Sequence, residues 1–444
     1  MFTEFIQMKY YLLALSLLLT ATLIHAQSNE KLTLDKAIEL GVKNSKQLQL
    51  SGARLDEATA AVKEAEQRKL PDVTASGSYL RVTNPTINFK SQQQNNGTDT
   101  AKTTSTPKVS QAAYGIVNVS LPIYSGLRIK YGIEASRFLE QAASLDADND
   151  KEGVILNIVD AYNNLYKAGL QIDVINSSLQ QAQQRVKDFS NLETNGLLAR
   201  NDLLKSQLQV SNIQLSLLDA QNNLKLNTIV LNLLLGYPDS TKLALDSSSF
   251  ITPPAPGGSD DYMQQALQKR KDLQAVDYRV KAQGSAVKSA QGEKYPSIAV
   301  TGGYVAADIP NVFTVYNAVN FGVGVNYSLS SLWKTDAKVQ QAKARERQAQ
   351  ANRSELSDQI QLQVGRAYLS YTSNLEKIKV YQVAIDQAEE NYRITKNKFD
   401  NSLATTTDLL EAEASQLGAR LNYTSAKSDA AVAYKRLQQA TGAL

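Results

Sequence analysis

The sequence predicts a mostly α-helical protein made by duplication of a long helical hairpin, with a small β part in each copy. The first observation is a seam. Val364, Ala367, Tyr371, Asn374, Ile378, Tyr381, Ile385, Ala388, Tyr392, Thr395 and Phe399 alternate steps of three and four, the mostly apolar stripe of a coiled-coil helix. The chain then turns at Asn401-Ser402-Leu403-Ala404 and returns to about Leu421. The second observation is a twin of that seam 206 residues earlier: Ile158, Ala161, Leu165, Ala168, Ile172, Ile175, Leu179, Ala182, Val186 and Phe189, broken only by Glu193 at the tip. Past the turn, the same shift lays Asp202-Leu203-Leu204 on Asp408-Leu409-Leu410.

Taken in order, the first 26 residues read as a secretory signal. Lys9 precedes an apolar run from Tyr10 to Ile24, with Ala26 at a small-residue cleavage position. The alternative, a retained anchor, suffers from the shortness of the run. Cleavage removes His25, the only histidine, and the chain has no cysteine. The mature chain therefore has no Cys/His metal site, no Ser-His-Asp triad and no disulfide, and neither catalytic residues nor a cofactor are expected. A net charge of +4 without a basic tract argues against nucleic acid as a partner.

Leu34 to Leu70 has helical composition and stops at Pro71. Asp72 to Val82 alternates like a strand, and Thr83 to Thr106 is a polar loop. A second strand, Gln111 to Tyr124, puts Gly115, Val117, Val119 and Leu121 on one face. It ends in Leu121-Pro122-Ile123-Tyr124-Ser125-Gly126. From there to Asn195 there is no proline, and roughly 70 helical residues would reach on the order of 100 Å. A helix of about half that length returns from Asp202 to Leu235, stopped by Gly236-Tyr237-Pro238.

The rest repeats this plan. Residues 27–238 form the first repeat, 239–259 a Ser/Pro/Gly-rich linker, and 260–444 the second repeat. With a shift of 225, Ala61-Val62-Lys63, Pro71, Gly77 and Tyr79 meet Ala286-Val287-Lys288, Pro296, Gly302 and Tyr304. Beyond the loop the shift falls to 208, an insertion of 225 − 208 = 17 residues in the first copy's polar loop. Two half-length helices stacked end to end would match one long helix.

In the second copy Val323, Val325, Tyr327 and Leu329 alternate with Gly322, Gly324, Asn326 and Ser328. Such a segment, about 9–11 residues long, suits either a membrane strand or a soluble sandwich with one buried face. Tyr124 and Trp333, where strands run into long helices, suit a membrane-interface aromatic belt. Four strands cannot close a transmembrane barrel and an open edge cannot sit in lipid, so a membrane form must be shared between chains. Three chains would supply twelve strands.

Leu32-Thr33-Leu34-Asp35-Lys36-Ala37, the Pro71 and Pro296 entries into strands, Leu121-Pro122-Ile123-Tyr124 with Gly126, and the two Asp-Leu-Leu turns occur in duplicated order. In these motifs the chain resembles the TolC family of outer-membrane efflux channels, over nearly all of the mature chain. The resemblance implies a homotrimer with a twelve-stranded β-barrel in outer-membrane lipid and a tapering α-helical tunnel in the periplasm. It also implies docking to a periplasmic adaptor, the membrane fusion protein, fed by an inner-membrane pump of the RND or ABC type. The expected role is the exit duct of a tripartite efflux or type I secretion system. A periplasmic coiled-coil adaptor or scaffold is the alternative, although adaptors carry one hairpin rather than two.

The resemblance also implies a gate at the tips, formed by the acidic residue six positions after the turn glycine. Gly196 to Asp202 keeps this spacing, as does Ser402 to Asp408 with serine in place of glycine. Glu411 shares the Asp408 helix face, and rings of both in a threefold assembly would favour cations. The same carboxylates could simply be first-turn residues favoured by the helix dipole. Where the family has a tyrosine before the turn and, in some members, an arginine after it, this chain has Phe399 and Ala404, so closure is expected to rest on packing around Phe399 and Leu403. Gly196-Leu197-Leu198 and Ser402-Leu403-Ala404 are the tips that the family presents to its adaptor.

Overall fold

The computed structural model describes residues 31–83, 109–246, 254–310 and 313–444. The expected signal segment, most of the polar loop and part of the linker lie outside these residues. In chain order the elements are α1 (Leu34–Asn44), α2 (Lys46–Gln67), β1 (Asp72–Arg81), β2 (Gln111–Ser125), α3 (Arg128–Thr194), α4 (Arg200–Leu235), α5 (Ser259–Lys269), α6 (Lys271–Gln291), β3 (Ser297–Ile309), β4 (Phe313–Asn326), α7 (Ser331–Asp400) and α8 (Thr406–Ala440). The long arms contain 67 and 70 residues. No described helix is long and apolar enough to cross a membrane.

The expected single helix from Leu34 to Leu70 is two helices. Ser45 leaves helical geometry with ψ at 118°, and its hydroxyl accepts from the Leu48 N–H at 3.3 Å, capping the start of α2. Arg270 interrupts the second copy in the same way, with ψ at 125° between α5 and α6.

The chain folds as two compact units. One comprises Met1–Leu48, Lys151–Ala266 and Gln363–Leu444; the other comprises Gln49–Asp150 and Leu267–Leu362. Each takes segments from both repeats, because an amphipathic hairpin cannot bury its seam alone and covers it with the other copy.

In the first unit the α3 seam is the core. Ile158, Ala161, Leu165, Ala168, Ile175, Ala182 and Phe189 are all buried. Ala37 of α1 and Leu231 and Leu235 of α4 pack on Ile158 and Tyr162. The Tyr162 hydroxyl donates to the Leu32 carbonyl at 2.7 Å, tying the first described segment to this core. The α7 seam is less covered: Val364 and Tyr371 are fully buried, whereas Tyr381, Ile385, Ala388, Tyr392 and Phe399 are only half-buried.

The second unit carries one antiparallel sheet in the order β1-β2-β3-β4, so the two expected strand pairs join through β2 and β3. Register assigns every residue to a face, since directly paired residues point to the same side. Val73 pairs with Val119, which pairs with Gly302, which pairs with Phe321. Val300 lies between Leu121 and Val323, and Tyr304 between Val117 and Val319. One face is thus apolar across all four strands. The other carries Thr74, Ser76, Asn118, Ser120, Thr301, Asn320 and glycines.

The corner from β2 into α3 turns at Gly126, φ +62°, against the short turn Gly292–Lys294 that precedes β3. A Cβ on Gly126 would lie 2.2 Å from the Gly292 carbonyl oxygen. Gly126→Ala therefore meets both a left-handed backbone penalty and a backbone clash, and is expected to cost more than about 2 kcal/mol. A markedly lower heat-denaturation midpoint of the purified protein is the check, and an unchanged midpoint would contradict it.

Candidate functional site

The helical tips are built by two related turns. In the first, the Gly196 N–H donates to Glu193 and the Leu197 N–H to Leu192, with Gly196 at φ +74°. In the second, the Ser402 N–H donates to Phe399 and the Leu403 N–H to Lys398, with Ser402 at φ +61°. Both are left-handed helix C-caps of the kind that favours glycine. Serine performs the same turn against a side-chain penalty.

Beneath the turns, Phe189 and Leu203 of the first hairpin meet Leu409 and Phe399 of the second in one buried cluster. The Phe189 and Phe399 rings stack with centroids 5.3 Å apart. Leu198 packs against this cluster, whereas Leu197 and Leu403 project outward, 74% and 77% exposed. Ala404 is half-buried and Gly196 and Ser402 are exposed. The expected pair Phe399 and Leu403 is therefore split: Phe399 supplies packing and Leu403 faces solvent.

The two aspartates occupy the same position, the third residue of their helices, with different partners. Asp408 forms a capping box: its carboxylate accepts from the Thr405 N–H at 2.8 Å and hydroxyl at 2.7 Å, while the Asp408 N–H donates to Thr405 Oγ1 at 3.2 Å. These bonds to the charged form, the backbone one first, hold its pKa below the ordinary aspartate value. In the first copy Ala199 stands at the N-cap, so no box forms and Asp202 instead accepts from Lys205 at 3.3 Å. Lys205 also reaches Thr407 of the other hairpin at 3.3 Å. Glu411 is exposed on α8.

Periodicity did not indicate the polar network that lies above the tips. Arg185 on α3 forms an ion pair with Glu413 on α8, their side chains only 8% and 2% exposed. Arg185 also donates to the Tyr392 hydroxyl of α7 at 3.0 Å, and Gln181 donates to the same hydroxyl. Burial pushes the Arg185 pKa down, opposed by Tyr392. The signal available in the sequence was a difference between copies: Arg185 and Glu413 correspond, by the 206 shift, to Asn391 and Gln207. Tyr124 is half-buried at the end of β2, and Trp333 is 65% exposed in the first turn of α7.

A duplicated long hairpin, a four-stranded sheet with one apolar face and polar-capped helical tips define a class of outer-membrane channel proteins. The sequence matches the family described as "Outer membrane efflux protein" over residues 37–237 and 262–443, and the chain belongs to that family. It is 23% identical over 449 aligned positions to outer membrane efflux protein BepC of Brucella suis biovar 1 (strain 1330), spanning 97% of this chain and 90% of the relative. Its fold is similar to that of VceC from Vibrio cholerae, with a TM-score of 0.77, 20% identity, and 92% and 96% of the two chains covered. It is also similar to the CmeC channel of Campylobacter jejuni, with a TM-score of 0.75, 18% identity, and 92% and 85% covered. The protein is an outer-membrane efflux channel rather than an enzyme, and the adaptor alternative is not favoured.

Arg185→Met alone strands a buried Glu413 carboxylate and is expected to destabilise the protein by about 3–5 kcal/mol. The double change Arg185→Met with Glu413→Leu removes both charges and should restore most of that loss. Denaturant melts of the four combinations give the coupling; equal and additive losses would show that the pair is not coupled.

Proposed function

We propose that three copies of this chain assemble into the exit duct of a tripartite efflux or type I secretion system. The observation that carries the proposal is the sheet. Its apolar face is exposed across all four strands: Val73, Val119, Val300, Val319 and Val323 are exposed and Phe321 is 91% exposed. β1 and β4 each have one unpaired edge within the sheet. A face of this kind matches lipid, and an edge of this kind requires a partner strand, so three sheets would close a twelve-stranded barrel. Tyr124 and Trp333 would then lie near the membrane boundary.

The helices support closure into a ring. Leu204, Leu208, Leu215, Leu218, Leu226 and Leu233 are exposed along α4, and Leu369, Val380, Val383 and Ile394 along α7. Two different apolar stripes on one chain suit a head-to-tail interface that closes into a ring. Repeats 27–238 and 260–444, joined by a 239–259 linker, would each contribute a hairpin to the tunnel. A signal peptide at 1–26 would deliver the chain, with its helical part in the periplasm.

At the tips, exposed Leu197 and Leu403, with Gly196, Leu198, Ser402 and Ala404, would meet a periplasmic adaptor fed by an RND or ABC pump of the inner membrane. Asp408 and Glu411 would form acidic rings that favour cations. Phe399, stacked on Phe189, would hold the resting closure, and Asp202, engaged by Lys205, would add to the charge at the same level.

Mass measurement of the protein in mild detergent, corrected for bound detergent, tests the assembly; a monomer would overturn it. In planar bilayers, Asp408→Asn keeps an oxygen to accept from Thr405 but loses the charge. It is expected to lower cation preference while leaving conductance within about twofold. A large rise in conductance at unchanged selectivity would instead make Asp408 a closing contact. The folded pKa of Asp408 is depressed, so the charge and its cap persist above the ordinary aspartate value and are lost as pH falls through the lower folded pKa. Thr405→Ala should therefore move the acid loss of selectivity to higher pH.

A further inference from the structure

The second copy closes the corner between α6 and α7 with two ion pairs. Just past α6, Glu293 pairs with Lys338 and Lys294 with Asp336, each at 2.7 Å. The first copy has the same corner with different charges. The shift of 225 lays Arg68 and Lys69 on Glu293 and Lys294. Ile133 and Val339, the first buried apolar residues of the two long helices, keep the shift of 206, which lays Lys130 and Gly132 on Asp336 and Lys338. Both acids of the second copy are thus cations in the first, and a glycine stands where Lys338 would reach across. Arg128 adds a fourth cation. Lys69, Arg128 and Lys130 are exposed, and none is in an ion pair among the described residues.

A cavity of about 520 Å³ lies at this corner, with Arg68, Arg128, Gly132 and Ser136 in its lining. Glu64, the one acid of the lining, is engaged by Arg68 at 3.1 Å. Arg128 is held by its stem and its Nε. An added Cβ on Gly292 would lie 2.9 Å from Arg128 Cγ, and Nε donates to the Ser125 carbonyl at 3.0 Å. Its terminal nitrogens make no bond among the described residues. Four cations at one corner repel one another unless an anion lies among them. Tyr124 and Ile298, paired in register, continue the apolar face of Leu121 and Val300 to the cavity. A ligand that suits both features is an anion joined to an apolar body. We propose that this corner binds the phosphate of an anionic lipid, its acyl chains lying on the exposed apolar face of the sheet. The planar fork of arginine matches phosphate, and the two lysines add attraction to an anionic lipid surface. The inference rests on the reading of the sheet as a membrane element.

The test is native mass spectrometry of the purified protein in a non-ionic detergent, with phosphatidylglycerol, phosphatidylcholine or glycerol phosphate added. One spectrum reads both ligand binding and assembly. Phosphatidylglycerol should be retained at least about fivefold more tightly than phosphatidylcholine. Arg128→Gln should weaken its retention by about fivefold, and Lys69→Gln with Lys130→Gln, at exposed positions that folding does not depend on, by about fivefold for each charge. Lys130→Glu, which puts an acid where the second copy has Asp336, should weaken it further than Lys130→Gln. Lys379→Gln, in the other compact unit, should leave it unchanged. Equal retention of the two lipids, or undiminished retention of phosphatidylglycerol in the Arg128 and lysine variants, would overturn the site. Glycerol phosphate held as tightly as phosphatidylglycerol would overturn the lipid assignment in favour of a soluble phosphate ester. A trimer without lipid selectivity would overturn the site alone, whereas a monomer that selects phosphatidylglycerol and loses it in the variants would overturn the assembly and support the site.

Discussion

Hydrocarbon offers no hydrogen bonds, so a backbone inside it must find all its partners within protein. In the proposed trimeric barrel that constraint would govern the sheet. Within β1-β2-β3-β4 the ladders run the length of the strands, with a bulge between Pro122 and Tyr124 and another between Val305 and Ala307, yet among the described residues the outer edges of β1 and β4 have no strand beside them. The apolar face formed by Val73, Val119, Val300 and Phe321 would be a liability in water and an asset in the lipid of the proposed barrel. The rest of the chain can be understood as the scaffold that delivers such a sheet and continues from it as helix.

The helical half solves a different problem. Seams of alternating three- and four-residue steps need cover along their whole length, and no single hairpin provides it. Each copy therefore packs on the other, through Phe189 on Phe399 near the tips and through Leu421 on the Ile175, Ala182 and Ile213 cluster further along. The α3 seam is buried and the α7 seam only half so, which leaves the second hairpin the more dependent on a neighbour.

Duplication supplied two similar hairpins, and the chain uses their differences. Thr405 gives Asp408 a capping box where Ala199 leaves Asp202 to Lys205. Arg185 and Glu413 pair in the interior although their counterparts are Asn391 and Gln207. Buried charges of this kind contribute little net stability but penalise any arrangement that separates them. They set which face of one hairpin meets which face of the other.

What the sequence alone determined was what local periodicity can encode. The seam from Ile158 to Phe189, the turns at Gly196 and Ser402 and the strands ending at Tyr124 were legible, because each depends on residues within a few positions of one another, and the duplication was legible because those local patterns recur at a near-constant shift. The break at Ser45 was not, since a serine inside a helical pattern becomes a cap only when its hydroxyl turns back to Leu48. Nor were the joining of β2 to β3, the Arg185–Glu413 pair, or the meeting of Arg68, Arg128 and Ile298 around one cavity. Those pairings link positions far apart in the chain, and only tertiary packing, where register and burial are decided together, selects among the many partners that composition allows.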